Sequence, residues 1–139
     1  MTMLRQFVVG GVASVCNIAV HALVMITVIH VARSIGQSYK RTRPSILVVM
    51  MAATVSVLMA AHVVEVIVWA ATYLLVGGAS PGVDLVYFAY VNYTTLGYGD
   101  VVPVKEWQLL GPMTAMNGVL LFGWSTAVIF EVLRKTLDR

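Results

Sequence analysis

The stretch Thr94-Thr95-Leu96-Gly97-Tyr98-Gly99-Asp100 is unlike anything around it in the chain. A short apolar segment, residues 83–94, leads into it, and a long apolar run, residues 109–133, follows it. Gly97 and Gly99 can adopt backbone angles that are closed to residues with a Cβ, so successive carbonyl oxygens of this stretch can turn to one side. The sequence therefore predicts a loop whose backbone, more than its side chains, carries the chemistry.

The composition is that of a membrane protein. Of 139 residues, 60% are hydrophobic and 11% are charged, whereas a soluble domain is about half apolar and about a quarter charged. The length indicates one domain. The net charge of +3 is too small, and the basic residues too scattered, to indicate nucleic-acid binding. The single cysteine, Cys16, lies in an apolar run and cannot form an intrachain disulfide.

Three apolar runs, residues 6–31, 45–76 and 109–133, are long enough to cross a bilayer, which takes about 20 helical residues. The first follows Arg5, as a signal peptide would, but it is too long for one and is interpreted as a retained transmembrane helix. Pro44 stands where the second helix would begin, a position that does not need its missing N–H. The glycine pair at 77–78 ends that helix.

The segment 83–94 is apolar but, at about 1.5 Å per residue, too short to cross the membrane. Either Ser80 or Asp84 can cap its start. A half-length helix followed by a glycine-rich loop predicts a re-entrant segment, since non-helical backbone is tolerated at membrane depth only where protein buries it or water lines it. We therefore expect an all-α membrane protein with three transmembrane helices, a re-entrant helix and a loop.

The basic residues set the expected orientation. Residues 32–43 hold four of them and the tail after Leu133 holds three, which leaves only Arg5 and Lys105 elsewhere. The positive-inside rule then places that loop and the C-terminus in the cytoplasm, and the N-terminus and residues 77–108 outside. We expect a multi-pass protein of the cell (inner) membrane.

Residues 95–100, Thr-Leu-Gly-Tyr-Gly-Asp, resemble the selectivity filter of the potassium channel superfamily, and residues 84–130 resemble its pore module, most like the small bacterial ion-channel proteins. The resemblance implies an N-terminal unit, residues 1–43, with a transmembrane helix and a cytoplasmic basic loop. It also implies a pore domain, residues 44–139. Within that domain it gives an outer helix at 44–76, a pore helix at 83–94, a filter at 95–100 and an inner helix at 108–135.

By this resemblance, the backbone carbonyls of Thr95, Leu96, Gly97 and Tyr98 bind the permeant ion K⁺ in place of its hydration shell, and Gly99 completes the filter. The hydroxyl of Thr95 adds the innermost ring of oxygens, and the side chain of Tyr98 points outward and braces the diameter. One loop supplies a quarter of each oxygen ring, so the resemblance implies a homotetramer in the lipid bilayer. We expect no other cofactor or metal, no nucleic acid and no small-molecule substrate.

The support of the filter departs from that of some relatives. Val91 stands where they carry a buried Glu that pairs with the acid after the filter. Asp100 is therefore expected to accept a hydrogen bond from the hydroxyl of Tyr87 or from Trp107, with Thr94 as a further supporting residue. We hypothesise that inactivation differs as a result. Trp107 has the alternative role of an interfacial anchor.

In the last span, Gly118 resembles the glycine hinge of the inner helix, with close helix packing as the alternative explanation. Val119, Phe122 and Thr126 are expected to share one helical face and to line the cavity. Phe130, about one turn on, is a candidate hydrophobic constriction.

A buried polar cluster is expected where the first two helices pack. His62 and Glu65 are three residues apart and share one face, and Asn17 and His21 lie at matching depths in the first span. Ionisable groups at such depth are costly and often functional. The cluster is either a hydrogen-bonded strut or a proton sensor behind the filter, and no Cys/His spacing supports a metal site.

These observations predict a passive potassium-selective channel. The spans carry no regular arginine repeat for voltage sensing, and we expect no ligand-binding domain attached to the last span. The alternatives are a weakly selective cation channel and a non-conducting membrane assembly subunit. No nucleophile–base pair, carboxylate pair or phosphate loop indicates an enzyme.

Overall fold

The computed structural model describes residues 2–38 and 44–137, and in these ranges every regular element is helical. The elements are α1 at Thr2–Ser38, α2 at Pro44–Val76, α3 at Leu85–Tyr93, a 3-10 turn at Lys105–Trp107 and α4 at Leu110–Leu137. The all-α fold class is confirmed. Residues 32–38 of the predicted basic loop are instead helical and extend α1, because the helix continues beyond the apolar run. Lys40, Arg41 and Arg43 lie outside the described residues, and the division into an N-terminal unit and a pore domain stays a prediction.

Three of the helices are long and apolar enough to cross a membrane, over Met3–Val31, Ser45–Val76 and, together with the 3-10 turn, Lys105–Lys135. They coincide with the three predicted runs. α1 has 37 residues and α2 has 33, so each is roughly 50 Å long at 1.5 Å per residue. A hydrocarbon core of about 30 Å therefore requires tilt or extension beyond the bilayer.

The end of α2 and the start of α3 are set by two local devices. Gly77 has a φ of 64°, its N–H donates to Leu74, and the N–H of Gly78 donates to the carbonyl of Tyr73 at 2.8 Å. This pattern is a Schellman C-cap with glycine in the left-handed position. Asp84 caps α3, because its carboxylate accepts from the N–H groups of Val86 and Tyr87 at 2.9 and 3.1 Å. Of the two predicted caps the structure uses Asp84, so α3 begins at Leu85.

The core of the molecule lies where α3 packs between α2 and α4. Phe88 and Tyr93 of α3 are fully buried, and the rings of Tyr73 and Phe88 lie 4.6 Å apart. Trp69 on α2 and Leu110 on α4 belong to the same cluster. Because lipid is as apolar as these side chains, their close van der Waals contact, more than the hydrophobic effect, holds the helices together.

α1 packs along both α2 and α4. At one end, the side-chain carbonyl of Gln6 accepts from the backbone N–H of Leu109 at 2.7 Å, which satisfies a donor that the start of α4 would leave unpaired. At the other end, Met25 and Val28 of α1 join a second apolar cluster with residues of α2 and α4. The additional N-terminal helix is therefore integral to the packing of the chain, and it positions the polar side chains described below.

Candidate functional site

The loop at residues 94–100 begins with a strained helix cap. The N–H of Leu96 donates to the carbonyl of Val91 at 3.0 Å, and the N–H of Thr95 donates to that of Asn92 at 3.0 Å. These are the two bonds of a Schellman cap, with Thr95 in the left-handed position at φ 60°. Among the described non-glycine residues it alone has a positive φ, and the left-handed conformation costs an L-residue about 1–2 kcal/mol.

The strain at Thr95 indicates that its side chain serves a purpose. α2 ends in the same cap with Gly77 in the same position, so glycine would close α3 at no steric cost. Strained backbone of this kind clusters at functional sites. A hydroxyl at this position is one feature that glycine cannot supply.

Left-handed residues recur at every second position of the loop. Gly97 has a φ of 57° and Gly99 a φ of 80°, whereas Leu96 and Tyr98 between them do not have positive φ. Positive φ at alternate residues allows successive carbonyl oxygens to turn to one side of the loop. The predicted use of both glycines for special backbone angles is confirmed.

In the single chain this loop has little protein around it. All seven residues are exposed, with 52% of Leu96 and 70% of Tyr98 accessible. A Cβ built on Gly99 would meet no atom within 4 Å. One chain therefore presents the ordered backbone of the loop but encloses nothing with it.

Asp100 is held by Tyr87. The Tyr87 hydroxyl donates to the Asp100 carboxylate at 2.7 Å, which is one of the two predicted alternatives. This hydrogen bond raises the pKa of Tyr87, so the phenol remains a donor throughout the neutral range. Trp107 is instead nearly buried, with the guanidinium of Arg5 5.4 Å from its ring centre. Thr94 donates its hydroxyl to the carbonyl of Tyr90 at 2.8 Å within the last turn of α3.

Gly118 is where α4 touches the end of α3. A Cβ on Gly118 would lie 2.0 Å from the carbonyl oxygen of Tyr93, which is a severe clash between nonbonded atoms. α4 is continuous through this point. The contact supports the packing explanation of Gly118, and the hinge stays a prediction.

The residues predicted to line a cavity differ in their surroundings. Val119, Thr126 and Phe130 are exposed along α4. Phe122 is only partly exposed, and its ring lies 4.7 Å from that of His62 and 5.3 Å from that of Tyr93. Within the chain Phe122 thus faces inward, and the cavity and constriction roles of all four residues stay predictions.

The four polar residues expected where the first two helices pack, Asn17, His21, His62 and Glu65, do meet there, and all are buried. The carboxylate of Glu65 bonds to both histidines, through Nδ1 of His21 at 2.6 Å and Nδ1 of His62 at 2.9 Å. The amide of Asn17 donates to the backbone carbonyl of Glu65 at 3.2 Å and to Asn117 Oδ1 at 3.0 Å. Asn117 therefore points toward the neighbouring helices α1 and α2.

Two further members of this cluster, Tyr93 and Ser125, were not predicted. The Tyr93 hydroxyl donates to Glu65 and lies 2.9 Å from Nδ1 of His62. The hydroxyl of Ser125 lies 3.0 Å from Nε2 of His62 and 3.3 Å from Nε2 of His21. One signal was available in the sequence, because Ser125 follows Gly118 by two helical turns and so shares its face.

His21, His62 and Glu65 are also close enough to bind a metal ion, since one ligand atom from each lies within 4.8 Å of the others. Two histidines and a glutamate form a known zinc ligand set. Spacing along the sequence gave no sign of this, because the three residues come from two helices. The same atoms are all engaged in hydrogen bonds with one another or with Ser125 and Tyr93.

A comparison with protein families gives a match to ion channels. Residues 45–135 match a family model described as an ion channel, and the match covers α2, α3, the loop and most of α4. α1 lies outside the matched region. Searches of the curated proteins and of the solved structures found no match.

Proposed function

The chain belongs to the ion channel family whose model matches residues 45–135, and on this premise we propose that it is a potassium-selective channel that conducts K⁺ passively through the loop at residues 95–100. The observation that carries the proposal is the alternation of left-handed residues at Thr95, Gly97 and Gly99. Such alternation allows successive carbonyls to turn to one side, which the proposed coordination of ions by the backbone needs. The family match indicates a channel and not an enzyme.

The position of the loop in the fold supports a cation path. α3 has only nine residues, so it ends part-way through the membrane thickness, and its last residue is two positions before Thr95. The C-terminal end of a helix carries a partial negative charge, and here it points to the loop entrance. A dehydrated cation is favoured at such a place, and an anion is not.

A homotetramer is the assembly that this proposal needs. The loop of one chain is exposed and encloses nothing, and four copies around an axis would close a ring of oxygens. Aromatic side chains flank the loop with much of their surface uncovered, namely Tyr87, Tyr90 and Tyr98. In the tetramer they would pack against the neighbouring subunit and fix the diameter of the ring.

The membrane and orientation follow from the sequence. The scarcity of basic residues between 77 and 108 supports an outward-facing loop mouth with the N-terminus outside and the C-terminus in the cytoplasm. Three apolar helices support a multi-pass protein in contact with lipid. We place it in the cell (inner) membrane.

Purified protein in liposomes tests the proposal. Wild-type vesicles under a K⁺ gradient should take up K⁺ faster than identical vesicles take up Na⁺, by at least about tenfold, which corresponds to about 1.4 kcal/mol of discrimination. Gly97→Ala should abolish the flux, because its φ of 57° is costly for alanine. Gly11→Ala is the matched control, since a Cβ there meets nothing within 4 Å.

The outcomes separate the alternatives. Equal K⁺ and Na⁺ fluxes would contradict selectivity and favour a weakly selective cation channel. No flux from a correctly assembled wild-type protein would favour a non-conducting membrane subunit. Flux that survives Gly97→Ala would show that the ion path does not use this loop.

A further inference from the structure

His21, His62, Glu65 and Ser125 form a closed ring of hydrogen bonds, called here the His–Glu ring. Glu65 bonds to Nδ1 of both histidines, at 2.6 and 2.9 Å. Ser125 closes the ring on the opposite side, 3.0 and 3.3 Å from the two Nε2 atoms. The ring joins α1, α2 and α4, and the family resemblance assigns it no part in conduction.

When all four contacts of the ring are hydrogen bonds, its number of protons is set. An ionised carboxylate only accepts hydrogen bonds, so each Nδ1 that faces Glu65 must carry a proton. The hydroxyl of Ser125 has one hydrogen, so it can donate to one Nε2 and must accept from the other. One histidine therefore carries two protons and the other carries one. The same count holds if the proton between His21 and Glu65 lies on the carboxyl oxygen.

This count leaves the ring neutral, with one proton more than an ionised Glu65 and two neutral histidines would hold. Loss of that proton to water leaves a net negative charge in a buried site and one Nε2 lone pair without a donor. Both consequences are costly away from water. His62 is the member of the ring through which the proposed exchange would proceed, since its side chain is 10% accessible, while those of His21 and Glu65 are not accessible at all.

Tyr93 connects the ring to the loop. Its hydroxyl donates to Glu65, and it is the last residue of α3, two positions before Thr95. Its backbone carbonyl is also the group against which Gly118 packs. A change in the position of Glu65 is therefore transmitted to the first residues of the loop through one side chain.

The groups that face the ring come from all four helices. The titratable ones are His21 from α1, His62 and Glu65 from α2, and Tyr93 from α3. α4 contributes Ser125 and the rings of Phe122 and Trp124, which pack on His62 and His21.

We propose that the His–Glu ring is a binding site for one exchangeable proton, and that this proton holds Tyr93 and the adjoining loop in the conducting arrangement. The inference rests on the proposed channel function. Conduction should be greatest while the proton is bound and should fall as rising pH removes it.

The test combines K⁺ flux in liposomes between pH 5 and 9 with nitrogen NMR of protein labelled at histidine. As the pH rises, wild-type flux should fall about tenfold and should follow the titration curve of a single proton. A tenfold change corresponds to the free energy of about one buried hydrogen bond. Tyr93→Phe should keep the doubly protonated imidazole in the NMR spectrum but lose the pH dependence of flux. His30→Gln, which alters an exposed histidine outside the ring, should behave as wild type.

Ser125→Ala gives a signature that a purely structural role would not produce. Without the hydroxyl, nothing in the ring requires a proton on either Nε2. The midpoint of the flux curve should then move to lower pH by about one unit, the equivalent of one hydrogen bond. Size-exclusion chromatography of each variant verifies that it assembles as the wild type does.

Each contrary outcome is distinguishable. Selective flux that is constant or rises with pH would overturn this inference and leave the channel function standing. Two singly protonated histidines at neutral pH would also overturn it, as would one equivalent of zinc in the purified protein, since the metal would occupy the ligand atoms. A doubly protonated imidazole without any flux would contradict the channel function and retain the proton site.

Discussion

Replacing Gly118 with alanine probes how closely α4 is held against α3. The added Cβ would lie 2.0 Å from the carbonyl oxygen of Tyr93 and 3.0 Å from its carbonyl carbon. A normal carbon–oxygen contact is about 3.3–3.6 Å, so the two backbones must separate by more than about 1 Å. Both contacting groups are tied to the backbone, so no side-chain rotation relieves the overlap. Overpacking costs about 1–3 kcal/mol, and we expect the upper end.

Thermal unfolding of the purified protein in detergent measures this cost. A loss of about 3 kcal/mol should lower Tm by roughly 6–12 °C for a chain of this size, and K⁺ flux should fall because the start of the loop is displaced. Gly123→Ala is the control on the same helix, since its Cβ meets nothing within 4 Å and alanine favours helix by up to about 1 kcal/mol. An unchanged Tm for Gly118→Ala would refute the packing argument, and altered gating at unchanged Tm would favour a hinge.

Three further substitutions test the loop and its support. Tyr87→Phe removes the 2.7 Å bond to Asp100 and should change the open-state lifetime in single-channel records; an unchanged lifetime would show that the bond does not govern inactivation. Thr95→Gly removes the backbone strain, so we expect the free energy of unfolding to rise by up to about 1 kcal/mol. It also removes the hydroxyl, so added K⁺ should stabilise the variant less than it stabilises the wild type. Equal stabilisation of both proteins by K⁺ would argue against a ligand role for the hydroxyl. Asp84→Ala should cost about 1 kcal/mol of stability through loss of the cap, whereas Asp84→Asn should cost much less, and equal losses would contradict the capping role.

The features that follow from local sequence patterns could be predicted. The three apolar helices and the half-length α3 depend only on hydrophobic length. The positive φ of Gly97 and Gly99 depends only on the absence of a Cβ. The matching depths of Asn17 and Glu65, and of His21 and His62, required only a count of residues from the outer ends of the two spans, because two helices of similar tilt place equal counts at equal depth.

What could not be predicted depends on how helices rotate about their axes. Ser125 belongs to the His–Glu ring and Tyr93 contacts it because α4 and α3 each turn one particular face toward α2. Each of these helices has several faces of similar hydrophobicity. Phe122 shows the sensitivity of such assignments. At about 100° per residue it lies about 60° around α4 from Val119, and this is enough to turn its ring onto His62.

The proposal that the chain is a potassium-selective channel is tested most directly by a reversal potential. Wild-type protein in a planar bilayer, with K⁺ on one side and Na⁺ on the other at equal concentration, should show a current that reverses at a large voltage of the sign that K⁺ selectivity requires. A reversal potential at zero, with measurable current, would contradict the account.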